Sequence, residues 1–406
     1  MNIVIVVQRY GNGIIGGAEA HAQQLATWLE KNTDWNIEIV TSCATSYITW
    51  KNKLDKGISK EGKILINRFP TFSKRRQNIF SFWNRLTQIA HNKTANITGF
   101  YFINKIIQEV WLRLQGPYCR DIPRYLKKIE EKTDLFIFFT YLYYPTVKGI
   151  LQVQKKSLLI PTAHDEPPFY FKLVSKIFQS DIPLIVNSEE EARLIKKTYP
   201  ETASRIIIGA IGLPDLKPTS KNIVQKIYIL YLGRIGLSKR TDELIDYVTK
   251  YNSLHHEQQV TLVLAGAIEK DFQVENLPNI EYKGIVSERE KSDLIFNCQA
   301  VVNASRLESL SMIALEGILA QKPLILTAHC PVLNSYCQSL ETAYAYKNYS
   351  EFEKSLLEVM HSNQHAEFKA KLSLSRQWAL SKYGWEKVRQ NIEQVLVQKN
   401  SSSSLK

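Results

Sequence analysis

Short continuous runs of Ile, Val, Leu and Phe recur along this chain, among them Ile3–Val7, Leu135–Phe139, Leu158–Ile160 and Ile206–Ile208. A run without alternating polar residues has no face to give to water, which marks a parallel strand covered by helices on both sides. Ile37–Thr41, Ile64–Asn67 and Pro183–Val186 continue the series, with helical spacing at Ala18–Lys31 and Glu189–Tyr199. The rhythm then restarts. Strands are expected at Ile227–Leu232, Val260–Ala265, Ile280–Lys283, Ala300–Asn303 and Leu324–Leu326, and helices at Thr241–Tyr251, Glu288–Asn297 and Ser309–Ala320. Between the halves, residues 209–225 hold Gly212, Pro214 and Pro218 in polar filler and read as a linker. The chain is therefore expected to be α/β, with one layered unit at 1–211, a linker at 212–225 and a second unit at 226–375. Phe368–Val397 reads as helix interrupted at Tyr383–Gly384, and 399–406 as a disordered tail.

Composition narrows the class. With 44% hydrophobic and 22% charged residues the chain can bury sizeable cores. No stretch approaches the roughly 18 apolar residues of a membrane span. Asn2–Val7 opens as strand rather than as an export leader, so a cytoplasmic location is expected. The five cysteines are scattered with no CxxC spacing, which argues against a disulfide framework and against a zinc site.

The net charge of +13 is concentrated: between Lys51 and Lys132 stand 18 Lys/Arg against 6 Asp/Glu. Within a basic, aromatic insert at about 70–132, Phe80, Phe82, Trp83, Phe100, Tyr101, Phe102 and Trp111 interleave with Lys74, Arg75, Arg76, Arg85, Lys105 and Arg113. Such a pattern suits an anionic membrane surface, where each nearby cation adds about 1 kcal/mol; an ordinary solvated face is the competing reading. No helix-turn-helix, zinc-finger or RNP-like pattern occurs, so a nucleic-acid partner is not expected.

Gly11, Gly13 and Gly16 match GxGxxG after a strand and before a helix. Gln8-Arg9-Tyr10 make the turn too loose for a dinucleotide fingerprint, and Thr41-Ser42-Cys43 stand where the ribose-binding acid belongs. Gly16-Gly17-Ala18-Glu19 reads better as a helix entry open to an anion. Further on, Gly233-Arg234-Ile235-Gly236-Leu237-Ser238-Lys239 follows a strand and sets two cations five residues apart, a geometry suited to a diphosphate. Glu308 and Glu316 lie eight residues apart, about 12 Å if both are on one helix, the span from the ribose to the sugar of a nucleotide sugar. Glu316 interrupts an apolar helix and needs a polar partner there.

Taken in order, the Gly16-Gly17-Ala18-Glu19 loop with His21, the Arg234…Lys239 loop, the Glu308/Glu316 pair and Lys322-Pro323 resemble the family-4 type of retaining GT-B glycosyltransferases. The resemblance covers nearly the whole chain. It implies two Rossmann-like domains whose parallel sheets face across a cleft, the first binding acceptor and the second donor. The helices at 376–398, about Tyr383-Gly384-Trp385, resemble those that return to the first domain. Carried over by position, Arg234 and Lys239 neutralise the donor diphosphate, Glu316 holds the ribose and Glu308 the transferred sugar. Ser309, Leu310 and Ser311 stand where relatives use glycines to meet phosphate, and Arg240 replaces another glycine. Gly16 and Gly17 approach the donor phosphate, and His164 corresponds to a cleft histidine. Neither cofactor nor metal is expected, since no Asp-x-Asp pair is present. The implied activity is sugar transfer from a nucleotide sugar to a lipid-linked or surface-polysaccharide precursor at the inner membrane face. A nucleotide-sugar epimerase, a non-catalytic partner of a transferase and a nicotinamide dehydrogenase are the alternatives.

Overall fold

The computed structural model describes residues 1–14, 16–94, 101–214, 216–217, 227–363 and 365–403. The chain divides into two compact units, Met1–Gly212 with Trp385–Lys406, and Leu213–Gly384.

The first unit holds an eight-stranded sheet built from β1 (Asn2–Val6), β2 (Asn36–Ser42), β3 (Gly57–Glu61), β4 (Ile64–Phe69), β5 (Leu135–Phe139), β6 (Ser157–Ile160), β7 (Leu184–Val186) and β8 (Ile206–Ile208). Their order is β3-β4-β2-β1-β5-β6-β7-β8, and every neighbouring pair is parallel except β3 with β4. The continuous apolar runs are explained by two cores, one on each face. Val4, Val6, Phe136, Phe138 and Leu159 enter one, and Ile3, Ile5, Ile137, Phe139 and Leu158 the other. Alternate side chains thus serve opposite faces, and neither face meets water. Strand β3 escapes the sequence reading because it is an antiparallel edge with four of its five residues exposed. An edge strand of that kind carries no apolar signature.

In the second unit, β9 (Tyr228–Leu232), β10 (Thr261–Ala265), β11 (Ile280–Tyr282), β12 (Ala300–Asn303), β13 (Leu324–Thr327) and β14 (Ala343–Tyr346) form an all-parallel sheet in the order β11-β10-β9-β12-β13-β14. Ile229, Tyr231, Leu262, Leu264, Val302 and Ile325 fill the core on one face. On the other, the helix Met312–Leu319 lies so close that a Cβ on Gly317 would stand 2.9 Å from Val301 Cγ2.

Several expectations need correction. The second unit extends to Gly384 rather than ending at 375, because the helix Ala366–Tyr383 stays with it to its last residue. The return falls at Trp385, whose indole stacks on Trp28 at 5.6 Å and against Gly212, where a Cβ would come within 1.9 Å of the ring. The tail is not disordered from 399: the helix Trp385–Ser403 continues because Ile392, Val395 and Leu396 are buried in the first unit and Lys399 donates to the Gln154 carbonyl at 3.2 Å. Residues 404–406, most of the linker and Phe100 lie outside the described residues. In the basic insert, Arg75 turns inward, its guanidinium 4.2 Å from the Phe80 ring centre and donating to the Gln115 carbonyl at 3.4 Å. No described helix is long and apolar enough to cross a membrane.

Candidate functional site

The carboxyl ends of β9 and β12 are neighbours in the second sheet, and the loops leaving them carry most of the expected donor residues. Lys239 bridges the two loops. Its Nζ donates to Glu308 Oε1 at 2.7 Å, to Ser305 Oγ at 3.3 Å and to the Leu307 carbonyl at 3.4 Å. Arg234 is exposed on the same loop; its carbonyl accepts the Tyr231 hydroxyl at 2.7 Å, and burial pushes that hydroxyl well above its ordinary pKa. Glu269 ties down the loop centre through Ser238, and Gly236 leaves room for it, since a Cβ there would lie 2.2 Å from the carboxylate.

Glu308 and Glu316 do not share a helix. The helix starts only at Met312, because Ser311 adopts a left-handed conformation at φ 64° with its hydroxyl accepting from Asn303 Nδ2 at 3.1 Å. Arg240 is likewise left-handed, at φ 56°. Both departures from the glycines of the resembled family therefore keep a backbone shape that glycine adopts most readily. Among the described residues, the backbone N–H groups of Ser309, Leu310 and Ser311 meet no protein acceptor. Together with the following helix start they form a cradle of donors for an anion.

Glu316 is 5% exposed and receives Lys291 Nζ at 2.9 Å. Burial pushes its carboxyl up, and the Lys291 ammonium holds it partly down. Lys291 is the polar partner that the apolar helix required. Sequence reasoning missed it because it sits 25 residues away on the helix Glu288–Asn297.

Gly16, Gly17 and His164 belong to the first unit, at the carboxyl ends of β1 and β6. Gly16 is needed by its own neighbours: a Cβ would stand 2.1 Å from Glu19 Oε2 and 3.0 Å from Arg9 Nη2, and Arg9 Nη2 forms a buried ion pair with Glu19 Oε1 at 2.6 Å. Gly17 has open space beside it. His21 is fully buried, its Nε2 donating to the Ala210 carbonyl at 2.9 Å, and burial depresses its pKa to about 4. It is a structural residue.

His164 is half-buried and follows Thr162, a β-branched residue held at φ 49°. Glu191, unnoticed in the sequence, pins that turn. Its Oε1 accepts the Ala163 N–H at 2.6 Å and its Oε2 the Asn187 N–H at 2.7 Å. Tyr141 donates to Glu166 at 2.6 Å beside it. Among the described residues, no cluster of three His, Cys, Asp or Glu side chains is arranged to hold a metal ion.

This architecture is shared with solved structures over nearly their whole length. Sucrose-phosphate synthase from Thermosynechococcus elongatus superposes with a TM-score of 0.63 at 13% identity, covering 99% of each chain. Anabaena HepE, solved with UDP and glucose, gives 0.64 at 12% identity over 98% of this chain and 100% of its own. WaaG, a glycosyltransferase involved in lipopolysaccharide biosynthesis, gives 0.58 at 13% identity over 97% and 99%. No curated protein matches the chain closely in sequence. The fold is the one shared by these structures, the GT-B fold of glycosyltransferases. Residues 215–373 match the family model of glycosyl transferases group 1.

Proposed function

We propose that the chain is a retaining glycosyltransferase that moves a sugar from a nucleotide-sugar donor to a lipid-linked saccharide or surface-polysaccharide precursor, working peripherally at the cytoplasmic membrane face. The observation that carries the donor half is Lys239 spanning the β9 and β12 loops beside three unpaired backbone N–H groups. A donor diphosphate would draw Lys239 and Arg234 to its oxygens and take up the N–H groups of 309–311, freeing Glu308 to accept sugar hydroxyls. Positive charge fixed where the leaving phosphate gathers negative charge lowers the barrier without a metal. Glu316, kept near Lys291, would accept the ribose hydroxyls, and His164 would serve the acceptor side. HepE, solved with UDP and glucose, and WaaG, involved in lipopolysaccharide biosynthesis, support this reading.

Thermal stabilisation by a panel of UDP-, GDP-, ADP-, CMP- and dTDP-sugars, with NAD included, tests this reading. One nucleotide-sugar series is expected to raise the melting temperature, and Glu316→Ala to abolish the shift. A shift with NAD alone, or one that survives in Glu316→Ala, refutes the donor site.

The membrane half rests on two helices that pack on one another, Gln77–Thr94 and Tyr101–Gln115. Ile79, Phe82 and Ile89 are exposed on the first and Ile103 and Ile106 on the second, beside the exposed cations Arg76, Arg85 and Lys105. Apolar residues at three- and seven-residue spacing flanked by cations suit the boundary between headgroups and acyl chains. Reversing Lys74, Arg76 and Arg85 together is expected to release the protein from phosphatidylglycerol vesicles in a sedimentation assay. Binding that is unchanged and insensitive to salt sinks the membrane reading.

A further inference from the structure

On the first unit, the helices Asp121–Ile129 and Tyr144–Gly149 enclose a groove of about 500 Å³ lined by Tyr118, Arg120, Arg124, Lys127, Tyr144 and Lys148. Two of its cations are already neutralised, Lys127 by Glu130 at 2.5 Å and Lys148 by Glu109. The arginines are not. Among the described residues neither Arg120 nor Arg124 makes a hydrogen bond or an ion pair, and Arg113 at the rim makes none either. Arg120 and Arg124 stand four residues apart, so they lie on one side of the first turns of their helix. Arg120 stacks on Phe72 at 5.2 Å and Arg113 on Tyr118 at 5.5 Å, while Tyr118 and Tyr144 meet edge to face at 4.8 Å. Stacking fixes the plane of a guanidinium without using its N–H groups, which leaves the fork of donors directed outward.

A groove whose two arginines, Arg120 stacked and Arg124 beside it, keep their hydrogen bonds unspent fits a doubly charged oxyanion, because the planar fork matches two oxygens of one phosphate. We propose that this groove is a binding site for a phosphate or diphosphate monoester, held by Arg120 and Arg124 with Tyr144 and Lys148 at its edge. Phe72, 69% exposed, extends the rim with an apolar surface for the remainder of the ligand. The site is built from residues of the first unit alone, whereas the donor loops belong to the second, and it uses none of the cations named above for the helical pair. Its fate is therefore independent of both readings.

Calorimetric titration with inorganic pyrophosphate tests the proposal, carried out in the Arg234→Ala, Lys239→Ala background so that the donor loops lose both their cations, and any binding left there is recognised by its indifference to Arg120 and Arg124. Saturable binding is expected, weakened roughly tenfold or more by the double change Arg120→Gln with Arg124→Gln, since each arginine supplies charge-assisted bonds. Both positions are exposed, so the double variant should melt as its parent does. Phosphatidylcholine vesicles doped with phosphatidic acid distinguish the sources. If the double change also weakens vesicle binding, the ligand is a lipid headgroup; if it weakens pyrophosphate alone, the ligand is a soluble ester. Reversal of Lys74, Arg76 and Arg85 should leave the pyrophosphate affinity unaltered. Absent pyrophosphate binding, or binding indifferent to both arginines, overturns the site.

Discussion

Lys239→Ala is expected to lower turnover by roughly two to three orders of magnitude, the usual cost of removing one group that stabilises developing charge. The stability cost is small. Lys239 and Glu308 are partly exposed, with 28% and 18% of their side chains accessible, and such an ion pair contributes about 1 kcal/mol or less. The two losses should therefore separate: steady-state turnover with the donor found in the stabilisation panel collapses, while the melting temperature changes by a few degrees at most. Turnover close to that of the unaltered protein would remove Lys239 from the reaction. The resting contact with Glu308 adds a second expectation. Glu308→Gln weakens the competitor for the ammonium, so donor affinity should fall less than turnover if Glu308 acts mainly on the transferred sugar.

The largest stability effect is expected at Glu191. Its two oxygens accept buried N–H groups at the ends of β6 and β7, and no water can replace them without opening the turn that carries His164. Glu191→Ala leaves both donors unsatisfied at about 1–3 kcal/mol each. A pH signature separates this from simple loss of packing. Burial raises the carboxyl to about 7, and the two N–H bonds limit the rise. Below the ordinary carboxyl range both folded and unfolded chains hold the proton. As the pH climbs through about 7 the folded chain must ionise a buried group that the unfolded chain ionised earlier, and stability falls by up to about 3 kcal/mol. Glu191→Gln carries no charge at any pH. Its stability relative to the unaltered protein should therefore improve between about pH 4.5 and about pH 7, and level off above that, in denaturant titrations. A difference that is flat across that range, or that moves the other way, contradicts the burial of an ionisable Glu191.

The sequence by itself determined the two parallel sheets, because a five-residue run such as Leu135–Phe139 is stable only with both faces covered. It marked the helix interruption at Tyr383–Gly384 but placed the start of the returning helices at 376, before that interruption, and it brought forward Lys239, Glu308 and Glu316 through their order along the chain. What it missed was not strongly written locally. The edge strand β3 is mostly exposed, and its residues alternate too weakly to be distinguished from loop. The span between Glu308 and Glu316 was misread as helix because nothing in Ser309-Leu310-Ser311 announces the left-handed turn at Ser311, which Asn303 stabilises from the preceding strand.

Partners were decided by the tertiary structure alone. Lys291 meets Glu316, Glu191 meets Ala163, and Arg75 folds onto Phe80 instead of joining the surface charges. Apolar periodicity is a property of neighbours a few residues apart, so the chain displays it openly. An ion pair or a buried hydrogen bond between distant segments depends on where the sheet delivers each loop. That placement exists only once the strands have paired.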